Sequence, residues 1–229
     1  MLFDVIGLHA ILFVLLGGAA VFVSKTTKTK GIGGLFAAVG LIIIIIKLNT
    51  LGDQNQIAPE QFQSFNPMFI VLLTPIIVGW FGYLNKRGKE PSSPAKIGIG
   101  MIITGLAYII MILAVQGLPS MLELGGGSSN ITVSAYWLMG TYFTLTIAEL
   151  HLSPMGLSFV SKVSPPKMKG LMMGGWFGAT AIGNYLSGFV GRFYQNWELW
   201  QFFLLLVITS FFAALILRIF LKKLKHATE

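Results

Sequence analysis

The chain has 229 residues, 55% of them hydrophobic and only 10% charged. Its mean hydropathy of +0.78 comes from several apolar runs, each long enough to span a hydrocarbon core at about 1.5 Å per helical residue. An ordinary soluble domain is excluded, and an all-α, polytopic membrane bundle is expected. Zero cysteines, and three histidines (His9, His151, His226) without i,i+4 spacing, exclude disulfides, thiolate sites and a zinc cluster. The net charge of +8 is resolved by position rather than by a nucleic-acid partner.

Seven apolar segments follow in chain order, at 5–24, 31–48, 67–84, 97–116, 133–154, 171–190 and 199–220. The connections 24–30, 85–96 and 161–169 and the tail 218–229 hold 14 of the 16 basic residues. The intervening connections 49–66, 117–132 and 191–198 carry Asp53, Glu60, Glu123 and Glu198 against the single Arg192. Strict alternation of basic and non-basic loops supports about seven spans. It also places the basic loops and the C-terminus in the cytoplasm and the N-terminus outside. Trp80, Trp137, Tyr194, Trp197 and Trp200 fall near span ends, where amphipathic rings favour the headgroup region.

Of the eight acidic residues only Glu149 lies inside an expected span. An intramembrane carboxylate is costly, about 2.5–3.5 kcal/mol at a helix centre, and normally faces a cavity or a partner. Two readings stand: a carboxyl that locks two helices, or a site for a substrate ammonium or a proton. Ser153-Pro154-Met155-Gly156 follows within two turns and is expected to interrupt that helix, as broken helices do where they line transporter cavities. The span 67–84 repeats the pattern with Asn66-Pro67 and Thr74-Pro75. In the sixth span the small pairs Gly174/Gly178 and Ala179/Gly183 permit close helix contact, while Trp176 and Thr180 share a face that either packs or lines a pocket.

The string Ala148-Glu149-Leu150-His151-Leu152-Ser153-Pro154-Met155-Gly156-Leu157-Ser158 closely resembles the tenth-helix motif of the proton-dependent oligopeptide transporters of the major facilitator superfamily. Phe62-Gln63-Ser64-Phe65-Asn66-Pro67-Met68-Phe69-Ile70 is similar to the start of that family's eighth helix. Met172-Met173-Gly174-Gly175-Trp176-Phe177 with Gly183-Asn184 is similar to its eleventh. The resemblance covers about residues 57–221. It implies that 31–229 is a C-terminal six-helix bundle and that 1–30 is an extra transmembrane helix with its cytoplasmic loop.

By the same resemblance, Glu149 receives the α-ammonium of a di- or tripeptide and Asn66 lies near that terminus. Trp176 and Thr180 are pocket residues, and Ser153 belongs to the tenth-helix motif. The family's seventh helix carries an aromatic stretch followed by Glu-Gln, whereas this chain has Ile42–Ile46, Lys47, Leu48 and Asn49. The family's N-terminal half, with its proton-coupling and peptide-carboxylate residues, has no counterpart here.

The implied function is that of a C-terminal half or fragment of a proton-coupled di-/tripeptide symporter of the inner membrane. Such a half is expected to need an N-terminal half and not to transport alone. A non-transporting membrane interaction subunit is the alternative. The proton is the coupling ion and no other cofactor or metal is expected. No Ser/His/Asp array converges, so an enzyme is not expected.

Overall fold

The computed structural model describes residues 5–23, 26–49, 62–125, 131 and 133–226. The described residues form seven long helices and no strand. These are α1 (Val5–Val23), α2 (Thr27–Asn49), α3 (Phe65–Lys86), α4 (Ser93–Ala114), α5 (Ala135–Val163), α6 (Lys169–Gly191) and α7 (Leu199–His226). Single helical turns occupy Met121–Leu124, Pro166–Met168 and Phe193–Asn196. Asp4, Lys25, Asp53, Glu60, Glu229 and most of the connections 49–66 and 125–132 lie outside the described residues.

Among the described residues, four helical stretches are long and apolar enough to cross a membrane: Thr27–Lys47, Phe65–Lys86, Ser93–Ala114 and Leu199–Leu221. Helix α1 adds the apolar stretch His9–Gly18. Helices α5 and α6 reach about 43 and 34 Å at the helical rise, also long enough to span. Their hydropathy is diluted by Glu149, His151 and Ser153 in one and by a run of glycines in the other.

Several ends differ from the sequence expectation, two of them beside Glu149 and Lys96. Helix α5 is not interrupted after Glu149 but continues through Pro154 to Val163. A proline removes one backbone hydrogen bond, here to the Leu150 carbonyl, and a long helix with many other bonds absorbs that loss. Pro75 inside α3 is accommodated in the same way. Helix α4 begins four residues earlier than expected, because Pro94 fits its first turn, where no N–H is needed. Lys96, expected in a loop, is therefore a helical residue. Before it, Gly88 at φ 64 donates its N–H to the Asn85 carbonyl and turns the chain out of α3.

The chain divides into two compact units, Met1–Leu72 and Leu73–Glu229. In the first, α1 packs on α2 backbone to backbone. A Cβ placed on Gly17 would lie 2.4 Å from the Gly33 carbonyl oxygen, and one on Gly40 would lie 2.5 Å from that of Ala10. As one number of these pairs rises the other falls, so the helices are antiparallel. The small residues are what allow the approach.

In the second unit α4 is central, packed closely on both α5 and α7. Gly100 of α4 admits α5: a Cβ there would meet Leu152 Cγ at 2.8 Å and the Ala148 carbonyl oxygen at 2.9 Å. Gly105 receives the Phe211 ring of α7, and Tyr108 stacks on Phe203 with centroids 6.5 Å apart. Ile76, Val78, Leu106, Phe212 and Ile219 point outward, as lipid-facing side chains do.

Candidate functional site

Glu149 is the middle residue of α5. Its flanking residues Ala148, Leu150 and His151 are buried, whereas Glu149 itself is half-buried. This follows from helical geometry. Ala148, His151 and Leu152 face the Gly100 contact with α4, and Glu149 lies about a quarter turn away from it. Ser153 and Gly156, at i+4 and i+7 from Glu149, continue its stripe towards the end of α5.

Trp176 of α6 closes on this stripe. Its ring occupies the space over Gly156, where a Cβ would come within 2.4 Å of it. The rest of α6 is almost entirely uncovered by the chain, and Trp176 is one of its few half-buried residues. The structure therefore brings Glu149, Ser153, Gly156 and Trp176 to one side of α5. Thr180 is exposed, and its hydroxyl donates to the Trp176 carbonyl at 3.0 Å, within its own helix. Ser153 is exposed on the stripe. Asn66 belongs to the first unit, where it is half-buried in the first turn of α3 beside buried Phe65.

The sequence did not single out a set of residues on the other side of α5. His151 Nδ1 donates to the Ile147 carbonyl at 2.8 Å, and its ring meets Phe81 of α3 edge-on with centroids 5.2 Å apart. Lys96 Nζ lies 4.0 Å from the centre of the Phe81 ring and donates to the Glu90 carboxylate. Asn85 Nδ2 also donates to Glu90, at 2.5 Å. The hydrogen bonds from Lys96 and Asn85 hold the Glu90 carboxyl below its ordinary value of 4.5.

Lys96 is buried, and it is neutralised in place by this ion pair and the ring. The signal available for it was Pro94, which moves the helix start back and puts Lys96 inside the bundle. A cavity of about 530 Å³ opens beside the pair, lined among others by Ser92, Ser158 and Lys162. Among the described residues no group of His, Asp or Glu is placed to hold a metal ion.

The family model described as PTR2, POT family, matches residues 40–201. The peptide transporter YePEPT of Yersinia enterocolitica is 37% identical over 130 residues, covering 57% of this chain and 24% of its own length. Dipeptide and tripeptide permease A of Escherichia coli (strain K12) is 33% identical over 134 residues, covering 58% and 24%. A crystal structure of a mutant peptide transporter POT in complex with sulfate matches with a TM-score of 0.63 at 26% identity. It covers 98% of this chain and 47% of the solved one. The chain thus spans about a quarter of its curated relatives' length in alignment, and just under half of the solved transporter.

Proposed function

The chain belongs to the POT family, whose members are transporters and not enzymes, and from that premise we propose that it serves as the C-terminal half of a proton-coupled di- and tripeptide symporter. The observation that carries this reading is Glu149, the central residue of α5, on a stripe closed at one end by Trp176 and Gly156. A carboxylate at membrane depth is the natural partner for a peptide's α-ammonium. A flat ring one or two turns away provides an apolar wall. Ser153 and Thr180 add hydroxyls near the same carboxylate and ring. Residues 31–229 form the transporter bundle and 1–30 the extra helix ahead of it, with the basic loops and C-terminus in the cytoplasm of an inner membrane.

Alternating access needs two bundles that rock about a midplane site. One bundle cannot enclose a peptide or close two gates, so an N-terminal half is the required partner. No acidic residue stands between Ile42 and Asn49, so proton coupling depends on carboxylates elsewhere.

The test is peptide binding and proton-driven uptake in proteoliposomes, with the chain alone, the chain with an N-terminal half, and that pair carrying Glu149→Gln. The chain alone should not accumulate peptide. The pair should, and the substitution should weaken affinity by roughly 10- to 150-fold, the effect of one charged hydrogen bond worth about 1.5–3 kcal/mol. Uptake by the chain alone defeats the half-transporter reading. A pair that folds but never binds peptide favours the interaction-subunit alternative.

A further inference from the structure

Glu149 stands on a helix that is held from its other side. Three elements contribute to that hold: Glu90 from the α3–α4 turn, Lys96 from the first turns of α4, and Phe81 from α3. The last contact in the series is His151, two residues from Glu149 on α5. Phe81 has Lys96 at 4.0 Å from its ring centre and the His151 ring at 5.2 Å between centroids, and all three side chains are buried. One turn further along α4, Gly100 leaves no room between α4 and the Ala148–Leu152 segment. A buried ammonium is stable only with its carboxylate and its ring in place, so it fixes α3, α4 and α5 in one mutual arrangement.

We propose that Lys96 is a positioning residue: clamped by Glu90 and laid over Phe81, it sets, through His151, the placement of the Glu149–Ser153–Gly156 face. The residue acts through α5 and does not touch the substrate. That this face receives a peptide rests on the function proposed above, but the positioning itself does not.

The chain has no cysteine, so Ser153→Cys, exposed on the Glu149 stripe, reports the placement of α5 by its rate of maleimide labelling. The labelling is measured on the monodisperse, folded fraction of the full chain. Lys96→Met keeps most of the stem but removes the charge, Glu90→Gln removes only the clamp, and Lys96→Arg keeps both the ion pair and the cation–π contact.

A coupling of ordinary size changes the labelling rate by about fivefold or more in the first two variants, with Lys96→Arg close to the parent. An unchanged rate in both Lys96→Met and Glu90→Gln overturns the proposal. So does an equal change in Lys96→Arg, which would make volume rather than charge the cause. A loss of folded protein with no change in the rate of what remains is the mark of a merely structural residue, and it too overturns the proposal. In the reconstituted pair, peptide affinity should shift in the same variants. If labelling shifts and Glu149→Gln leaves peptide affinity unchanged, the substrate reading fails while the positioning role stands.

Discussion

Two glycines, Gly100 of α4 against α5 and Gly156 within α5, show how much depends on what a missing Cβ would meet. At Gly100 the obstruction is the Ala148 carbonyl oxygen and the branch point of Leu152, both fixed in a packed interface. Gly100→Ala must push α4 and α5 apart, and overpacking of this kind costs about 1–3 kcal/mol. At Gly156 the obstruction is the outer edge of the Trp176 ring, carried on a helix that little else covers. There the ring swings aside and the helix pair survives. Gly100→Ala should therefore lower the thermal midpoint in detergent clearly, whereas Gly156→Ala should leave it nearly unchanged and alter the tryptophan emission of Trp176. To isolate that emission, Trp80, Trp137, Trp197 and Trp200 are replaced by Phe in both parent and variant. Equal midpoints for the two variants would contradict this account of the contacts.

Among the elements, the turn between α3 and α4 carries a charge effect whose sign is fixed by Glu90. Its carboxyl is held below 4.5 in the folded chain by Lys96 and Asn85. The stability it contributes is therefore present above the unfolded value and is lost as pH falls through the depressed folded value. The α3–α4 junction should be indifferent to pH between 6 and 8 and loosen only below about 4.5. Glu90→Gln should abolish that acid step, and a step surviving the substitution would assign it elsewhere. Pro94 signals that Lys96 is inside α4, but the ion pair with Glu90 over the Phe81 ring could not be read from the sequence, because spacing does not reveal which side chains meet across helices. The seven helices were legible, since each apolar run is long and bounded by loops of alternating charge. Glu149 was legible because it is the only acidic residue that hydropathy places inside a span. What failed was the expected break at Pro154. Proline removes one hydrogen bond, but whether a helix stops there depends on its neighbours, and α5 is supported along Ala148–Leu152 by α4.

At the scale of the whole chain the basic residues determine orientation. Of 16 Lys and Arg residues, 14 lie in alternate connections and in the tail, while the other connections are neutral or acidic. Translocating a short basic loop is disfavoured, so each basic connection should remain on the cytoplasmic side and each odd crossing be forced in the opposite sense. The helices observed agree with that count: α3 ends at Lys86, α4 starts at Ser93, and the α5–α6 connection at Pro166–Met168 sits between Lys162 and Lys169. The α4–α5 connection carries Glu123 and no basic residue. Two exposed side chains serve as probes, Met168 at 47% and Leu122 at 69% exposure. In intact cells Leu122→Cys should react with a membrane-impermeant maleimide, whereas Met168→Cys should react only after permeabilisation. Because the parent chain is free of cysteine, any label reports the introduced site alone. The reverse pattern would invert the orientation and put the basic ends of α3, α5 and α7 outside. Reaction of both sites in intact cells would mean that α5 does not cross, which would remove Glu149 from membrane depth and with it the ground for a buried substrate site.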